Sequence, residues 1–260
     1  MGILQAGVLG IIQGLTEFLP VSSSGHLIFL PKLFGWADQG LAFDAVIHLG
    51  TLVAVLWYFR KKFTKIVKGT EDTEDRKLGL LVLLSIIPAG IVGLLFGDWI
   101  GINLRSTGVI AFGMIFWGII LYFSEIINHK SKIRNLEAVG WKRALFIGCA
   151  QAVALIPGTS RSGITMTAGL FSKLDKKSAA EFSFLMSAPI IALAGLKSLF
   201  DMWQSGWGGL DWDVLLIGLV AAALSGLLAI WGLLKILQKW SFKPFVAYRI
   251  IVGILIIWLL

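Results

Sequence analysis

Charged residues are scarce in this sequence. They make up 15% of the 260 residues, and 57% of the chain is hydrophobic, whereas soluble globular proteins carry about 25% charged residues. Apolar runs recur along the whole length, and several approach the roughly 20 residues that a helix needs to cross a bilayer. The shortage of charge excludes an ordinary soluble domain. It predicts an all-α polytopic membrane protein that forms a single domain over residues 1–260.

Cysteine is almost absent, and no nucleic-acid signature accompanies the net charge of +8. The single Cys149 cannot form an internal disulfide, and no histidine or acid lies near it, so we interpret it as a packing residue. A basic stripe with interleaved aromatic residues is missing, so no nucleic-acid partner is expected. In a membrane chain, lysine- and arginine-rich cytoplasmic loops explain the positive charge better.

The apolar segments form two series with the same order. Each series begins with a segment that a proline interrupts, continues with a piece too short to cross the bilayer, and ends with three segments of spanning length. Each series therefore predicts one re-entrant helical hairpin followed by three transmembrane helices. The first series comprises residues 3–19, 25–34, 41–59, 78–96 and 107–127, and the second comprises 144–156, 166–171, 179–200, 214–237 and 245–260.

Matching sequence words indicate an internal repeat. Gly10-x-x-Gln13 recurs as Gly148-x-x-Gln151, and each word is followed by a proline, a hydroxyl-rich tip and a Ser-Gly pair. Because three spans per half is an odd number, the second half must enter the membrane upside down. This predicts an inverted-topology repeat with six transmembrane helices and two re-entrant helical hairpins, ten helices in all. The halves are expected at about 1–128 and 140–260.

The distribution of basic residues predicts the orientation. Eighteen of the 23 lysines and arginines fall in four stretches, whereas the loops at the opposite ends of the spans contain only Arg105. The positive-inside rule places the four stretches in the cytoplasm and both termini outside. The first hairpin then enters from outside and the second from the cytoplasm, so that their tips meet. The four stretches are residues 60–77, 129–143, 173–177 and 235–243.

The first tip concentrates polar residues in an apolar region, which marks a functional site in a membrane protein. Gln13 and Glu17 lie one helical turn apart, and oxygens of this kind suit a hard divalent cation such as Mg²⁺ or Ca²⁺. Backbone N–H groups at the start of the following short helix can bind phosphate. The residues that follow Pro20 in this tip are Val21, Ser22, Ser23, Ser24, Gly25 and His26.

The second tip has the same form with a fixed cation added. Arg161 lies between Ser160 and Ser162, and Thr165 follows one turn later. A guanidinium group can bind phosphate oxygens bidentately. An anion cradle, a cation, a carboxylate and a hydroxyl nucleophile together suit phosphoryl transfer. The substrate should carry a diphosphate head group held at the tips and an apolar tail between the helices.

Asp44, His48 and Glu181 are further ionisable residues within the apolar segments. Asp44 and His48 are spaced to hydrogen-bond on one face of a helix. Asp44 and Glu181 occupy equivalent places in the two halves, which favours a role in pinning the hairpins. A purely structural role for all three is equally compatible with the sequence.

The words Gln13-x-x-x-Glu17, Pro20-Val-Ser-Ser-Ser-Gly-His26 and Pro157-Gly-Thr-Ser-Arg-Ser-Gly-x-Thr165 resemble the signature motifs of the bacterial undecaprenyl-pyrophosphate phosphatase family, also called the bacitracin-resistance family. The resemblance extends over the whole chain. It implies hydrolysis of undecaprenyl diphosphate to the monophosphate carrier lipid of peptidoglycan synthesis, with a divalent metal. It also implies a place in the bacterial inner membrane, in contact with the lipid bilayer, with a site opening to the outer face.

The chemistry of the two tips and the resemblance together imply roles for individual residues. The catalytic residues would be Glu17, Ser23, His26 and Arg161. Glu17 and Gln13 would hold the metal. The residues expected to bind substrate are Ser22, Ser24, Gly25, Ser160, Ser162 and Thr165.

Several alternatives are open at this point. Ser23 is the nucleophile, activated by His26 and Glu17, or His26 is itself the nucleophile through a phosphohistidine. A secondary transporter, a channel or a lipid flippase has the same repeat architecture. The acid-phosphatase type of lipid phosphatase is disfavoured, because it needs a second histidine after its Ser-Arg word and the last histidine here is His129. A monomer and a homodimer are both compatible with the sequence.

Overall fold

The protein, seen here as a computed structural model, is described over residues 1–68, 73–128, 133, 135–205 and 211–259. This part of the chain contains eleven α-helices, one short 3-10 turn (Leu136–Ala138) and an isolated bridge, but no strand. The all-α prediction is confirmed, with one helix more than the ten expected. The helices are α1 (Ile3–Phe18), α2 (Ser23–Leu33), α3 (Gly40–Tyr58), α4 (Arg60–Lys68), α5 (Thr73–Asn103), α6 (Thr107–Ile127), α7 (Gly140–Val153), α8 (Arg161–Phe171), α9 (Lys176–Ser205), α10 (Trp212–Ile236) and α11 (Lys243–Leu259).

The additional helix, α4, lies in the stretch 60–77 that the sequence pattern marked as a polar loop. That interpretation was wrong for residues 60–68, because Phe63 and Ile66 lie one turn apart and pack against the core, while basic residues occupy most of the other positions. The helix bends away from α3 by 76°. α5 also begins earlier than predicted, at Thr73. Residues 69–72 of this stretch, and 129–132 and 134 of the next basic stretch, lie outside the described part.

Four helices are long and apolar enough to cross a membrane, and the bent pair α3 and α4 forms a fifth candidate. The four are α5, α6, α9 and α10. The sixth predicted span corresponds to α11, whose 17 residues stand at the short end of the spanning range. Many large apolar side chains on these helices face outward, as Leu94 does with 82% of its surface exposed. The chain is therefore a multi-pass membrane protein.

Two pairs of short helices are interrupted where the prolines predicted a break. α1 ends at Phe18 and α2 begins at Ser23, while α7 ends at Val153 and α8 begins at Arg161. The residues that precede α2 and α8 are Ser22 and Ser160, with φ angles of 75° and 70°. Each hydroxyl accepts a hydrogen bond from a glycine N–H three residues on, at 3.4 Å and 3.1 Å. The two tips thus share one local conformation.

Each broken pair is held by a glycine contact with a long helix. A side chain on Gly10 of α1 would overlap the carbonyl oxygen of Gly218 on α10. A side chain on Gly148 of α7 would overlap the carbonyl oxygen of Ser85 on α5. Glycine at both positions lets the helix backbones approach closely, as is common between membrane helices. These contacts fix where α1 and α7 end, and hence where the tips lie.

Candidate active site

Glu17 stands at the end of α1, where its carboxylate is 7% exposed. Its Oε2 accepts hydrogen bonds from Ser23 Oγ at 2.6 Å and from Gln13 Nε2 at 3.1 Å. Its Oε1 accepts one from Arg161 Nη2 at 3.0 Å. A buried carboxylate is stable only when it is paired and hydrogen-bonded. Both oxygens of Glu17 meet that condition, and one of its partners is a hydroxyl that could act as a nucleophile.

Arg161 brings the second tip to the first. It is the first residue of α8, and its guanidinium group lies between Glu17 and the carbonyl oxygen of Ser183 on α9, which Nη1 contacts at 3.0 Å. The expected proximity of Glu17 and Arg161 is confirmed, although 144 positions separate them. A second contact joins the tips, because Ser162 Oγ donates to the carbonyl oxygen of Leu19 at 2.9 Å. The two polar tips therefore form one cluster.

Backbone conformation at the tips is costly for serine. Positive φ in a residue with a side chain raises the energy by about 1–3 kcal/mol, and such strain concentrates at functional sites. Ser22 and Ser160 both adopt it, and it turns the chain so that α2 and α8 begin beside the Glu17–Arg161 pair. The first N–H groups of a helix lack partners within the helix and carry a partial positive charge. Two helix N-termini together form a cradle suited to an anion.

Both ring nitrogens of His26 have hydrogen-bond partners. Its Nδ1 lies 2.7 Å from the carbonyl oxygen of Ser22, and its Nε2 lies 2.6 Å from the hydroxyl of Tyr248 on α11. A carbonyl can only accept, so in the neutral ring Nδ1 donates and Nε2 accepts from Tyr248. The two rings are also stacked, with centroids 5.6 Å apart. Among the described contacts there is no hydrogen bond between His26 and Ser23, so the expected activation of Ser23 by His26 has no counterpart in this geometry.

Most of the other predicted binding residues are buried in support of the tips. Thr165 Oγ1 donates to the carbonyl oxygen of Arg161 and lies 2.7 Å from Ser183 Oγ, behind the guanidinium group. The hydroxyls of Ser22 and Ser160 cap α2 and α8, and Gly25 packs against α6. Ser24 differs from these, since its side chain is exposed. It is therefore the predicted binding residue that is accessible from outside the cluster.

A cavity of about 250 Å³ lies against the two tips. Ser24 of the first tip and Pro157 of the second form part of its wall, together with His48 and Arg105. The remaining wall comes from α2, α3, α5 and the second tip, and apart from Asp44 of α3 it is apolar. A cavity with an apolar wall and a few polar groups suits an amphiphilic ligand.

Asp44, His48 and Glu181 have separate roles in the structure. His48 Nε2 lies 3.8 Å from Glu17 Oε2, and its Nδ1 bonds to the backbone oxygen of Asp44 rather than to the Asp44 side chain. Asp44 accepts from Gln39, which also donates to Leu27 of α2, so Asp44 does help to pin the first hairpin.

The expected equivalent role of Glu181 is wrong. Its partners are Lys62 and Lys177, at 3.1 Å and 3.7 Å, and neither belongs to the second hairpin. The expectation failed because the spacing of residues in the sequence gave no indication of α4, the helix that carries Lys62 to Glu181.

Two residues of α11 at this site escaped the sequence interpretation. Tyr248 contacts His26, and Arg249 is a fully buried arginine whose guanidinium group reaches backbone oxygens of both tips. A signal for Arg249 existed, because it is an ionisable residue inside a predicted span. It also begins Arg249-Ile-x-x-Gly253, which is similar to Val109-Ile-x-x-Gly113 in the first half. Nothing in the sequence pointed to Tyr248.

The oxygens around Glu17 fit a divalent cation in part. Gln13 Oε1 is buried without a hydrogen-bond partner in the described structure, and Glu17 is one helical turn away. Mg²⁺ is commonly held by one or two protein oxygens together with substrate phosphate and water, which matches this pair. A larger group of three or more histidine, cysteine or acidic ligands does not occur among the described residues. The donor set therefore suits a cation that the substrate helps to bind.

Comparison with known proteins gives a consistent family. The sequence profile described as "Bacitracin resistance protein BacA" matches residues 6–255. "Undecaprenyl-diphosphatase 2" of Stutzerimonas stutzeri is 48% identical, over 97% of this chain and 96% of the relative. "Undecaprenyl-diphosphatase 1" of Pseudoalteromonas translucida is 46% identical, over 98% and 97%. "Undecaprenyl-diphosphatase" of Thioalkalivibrio sulfidiphilus is 43% identical, over 100% and 99%.

Proposed function

The chain belongs to the bacitracin resistance protein BacA family, and we propose that it hydrolyses undecaprenyl diphosphate to undecaprenyl phosphate and orthophosphate. This reaction recycles the cell-wall carrier lipid and confers resistance to bacitracin. One observation carries the proposal most directly. Glu17 and Arg161, from two tips far apart in sequence, are bonded to one another beside a serine hydroxyl and two helix N-termini.

In the proposed first step, Ser23 Oγ attacks the terminal phosphorus in line with the bridging oxygen, and its proton passes to Glu17 Oε2. The existing hydrogen bond of 2.6 Å already points along that transfer. The bond from the terminal phosphorus to the bridging oxygen breaks, and undecaprenyl phosphate leaves with the electron pair. In the second step water attacks the phosphoserine, and Glu17 returns its proton to Ser23 Oγ. The protons of the water stay with the released orthophosphate.

Arg161 and the two helix N-termini would stabilise the negative charge that is spread over the terminal phosphoryl oxygens. Catalysis of phosphoryl transfer rests mainly on such positioning and electrostatic stabilisation. Arg161 keeps its Nη1 contact with the Ser183 carbonyl, which would hold the guanidinium group in place while Nη2 turns from Glu17 to phosphate.

We further propose that Glu17 and Gln13 hold a divalent cation, Mg²⁺ or Ca²⁺, when substrate is bound. The unpartnered Gln13 Oε1 supports this. The cation would supply positive charge that offsets the charge of the diphosphate.

The geometry favours Ser23 over His26 as the nucleophile. Both ring nitrogens of His26 have partners, and its Nε2 would have to break from Tyr248 before it could attack phosphorus. Ser23 needs no rearrangement, because its hydroxyl already lies against Glu17. His26 then acts by holding the turn at Ser22.

The inverted-topology repeat is part of the proposal, with halves at about 1–128 and 140–260, six spans and two re-entrant hairpins. Several pairs of contacts support it. Gly10 and Gly148 are equivalent in the two halves and meet α10 and α5, which are also equivalent. The turns at Ser22 and Ser160 share the same φ and the same cap.

We propose that the cavity opens to the outer face of the inner membrane and that both termini lie outside. Gly97, in the last turns of α5, and Arg105, just after α5, line the cavity. They belong to a stretch that carries little positive charge, at the opposite end of the spans from the basic α4. Substrate would enter there from the outer leaflet, with its head group at Ser24 and its tail along the apolar wall.

Phosphate release by the purified protein in detergent tests the function. The wild type should release one orthophosphate from each undecaprenyl diphosphate, whereas a flippase, a channel or a transporter without hydrolase activity would release none. Brief reaction followed by an acid quench should trap an acid-stable phosphoester, which Ser23→Ala abolishes. A buried hydroxyl outside the site, removed by Ser187→Ala, serves as the control. An acid-labile phosphoenzyme that survives Ser23→Ala would overturn the assignment of the nucleophile.

A further inference from the structure

Tyr248 and Arg249 are adjacent on α11, and each contacts the polar tips from behind. Tyr248 reaches His26, whose other ring nitrogen bonds to the carbonyl oxygen of Ser22. Arg249 reaches the carbonyl oxygens of Pro20 in the first tip and of Gly158 and Thr159 in the second. One turn of α11 therefore touches both breaks.

The contacts of Arg249 are unusual for an arginine. Its side chain is 0% exposed, and the described structure gives it no acidic partner. Its guanidinium group donates instead to five backbone carbonyl oxygens, the three in the tips and those of Gly113 and Met114 on α6. Burying a charge without a counter-ion is expensive, so all of its donors must be satisfied. No other side chain could hold this many carbonyl groups in one fixed arrangement.

The two halves differ at the position that corresponds to His26. In the second tip it is occupied by Ile164, whose side chain cannot form a hydrogen bond to the turn. In the second tip Arg249 donates instead to the carbonyl oxygen of Thr159, next to Ser160. In the first tip Arg249 donates to the carbonyl oxygen of Pro20, and His26, which bonds to Tyr248, contacts the carbonyl oxygen of Ser22 itself. Both strained turns thus depend on α11. The turn at Ser22 depends mainly on Tyr248, and the turn at Ser160 depends mainly on Arg249.

The balance of charge at the tips also points to Arg249. Glu17 neutralises Arg161, so these two together offer a diphosphate no net positive charge. Arg249 is a further cation, and it lies close to the first turn of α8, where a side chain on Gly163 would come within 2.7 Å of its Nη1. A cation near a helix N-terminus adds to the partial positive charge there. The field behind the second tip is therefore positive and suited to an anion.

We propose that Tyr248 and Arg249 are positioning residues, which hold the two turns so that Ser23 and Arg161 face one phosphoryl group. Tyr248 acts through His26 on the turn at Ser22, and Arg249 acts on the carbonyl groups of both tips. This inference rests on the proposed phosphatase function. It assigns neither residue a contact with the reacting atoms.

Tyr248→Phe is the first test, since it removes one hydroxyl and leaves the ring. We expect kcat on undecaprenyl diphosphate to fall about tenfold, the order expected for one hydrogen bond, while KM stays within about twofold because the substrate makes no contact with Tyr248. Tyr122→Phe is the control, because this half-buried tyrosine lines a second cavity, near Lys176 and Lys243 and away from the cavity at the tips. It should keep full activity. Tyr248→Phe should have no further effect in a His26→Ala background, because its action passes through His26.

Ring-nitrogen NMR of labelled histidine gives a readout that a merely structural residue would not change. The chain has only three histidines, so His26 can be assigned with His48→Gln and His129→Gln. In the wild type Nδ1 of His26 should carry the proton and Nε2 should show a hydrogen bond. Tyr248→Phe should remove that hydrogen bond. This spectrum tests the contact between Tyr248 and His26 even if the wild type releases no phosphate. Absence of phosphate release would refute the proposed function but not this contact.

Arg249→Lys is the second test, because it keeps the charge and cannot reach the same carbonyl groups. We expect kcat to fall about 100-fold, as for a small misplacement of reacting groups, with KM changed less than threefold. Arg143→Lys is the control, since Arg143 also donates only to backbone oxygens but lies away from the tips. Full kcat in both Tyr248→Phe and Arg249→Lys would overturn the proposal. If Arg249→Lys does not fold, the Tyr248→Phe and NMR results decide it.

Discussion

Glu17→Gln tests the polar cluster at its centre. The amide has almost the same shape but no charge, and it cannot accept hydrogen bonds at both ends. It would face Gln13 and Ser23 on one side and Arg161 on the other, so at least one donor would meet a donor. The substitution removes the proposed base and leaves Arg161 unpaired with its side chain 13% exposed.

The expected size of the effect follows from these contacts. Loss of a general base costs about 10²–10⁴ in kcat. Loss of one partner of a buried ion pair destabilises a protein by about 3–5 kcal/mol. Arg161 keeps its bond to the Ser183 carbonyl, so we expect the lower end, about 3 kcal/mol. Activity should therefore fall at least 100-fold, with a measurable drop in thermal stability.

Phosphate release and thermal unfolding of the purified protein in detergent measure both effects. Glu181→Gln is the matched control, because Glu181 is also paired with cations but lies away from the tips, near the half-exposed Lys62 and Lys177. Surface pairs of this kind contribute about 0–1 kcal/mol, so stability and activity should change little. A Glu17→Gln enzyme with activity within tenfold of the wild type would refute the role of Glu17 as base.

Three further substitutions test other contacts. Arg161→Lys keeps the charge but loses the planar fork that contacts the Ser183 carbonyl and phosphate together, so kcat/KM for undecaprenyl diphosphate should fall about 100-fold; unchanged kinetics would contradict phosphate binding by the guanidinium group. Gly148→Ala should lower the thermal unfolding temperature, because its methyl group overlaps the α5 backbone, whereas Gly232→Ala has open space and should not; equal stability of the two variants would contradict the close approach of α7 and α5. Gln13→Glu places a second carboxylate beside Glu17, so half-maximal activation should need less Mg²⁺; an unchanged requirement would place the cation elsewhere.

Much of the architecture could be predicted from the sequence because hydropathy and proline report directly on membrane helices. The breaks at Pro20 and Pro157 and the meeting of the two tips follow from the repeated words and the odd number of spans. α4 could not be found in this way. Its apolar positions are few, and they become informative only when α5 and the core are present to cover Phe63 and Ile66.

The part of the site that consists of reactive residues in short polar motifs could be predicted from the sequence. Glu17, Ser23 and Arg161 belong to polar motifs inside apolar segments, so their residue types and positions indicated a common role in phosphoryl transfer. The contact of Tyr248 with the first tip was not predictable, because Tyr248 bonds to a residue 222 positions away and only the packed helices bring them together. The hydroxyl of Thr165 shows the same limit. Its spacing predicted that it lies near Arg161, but not that it would bond to the backbone oxygen of Arg161.

The most direct test is a structure with a non-hydrolysable undecaprenyl diphosphate analogue bound. The terminal phosphorus should lie about 3–3.5 Å from Ser23 Oγ, the distance of a near-attack geometry, with its oxygens bonded to Arg161 and to the first N–H groups of α2 and α8. The tail should leave along the apolar wall of the cavity beside Ser24. A head group bound instead at the second cavity, near Lys176 and Lys243, or bound to only one of the two tips, would contradict the shared site.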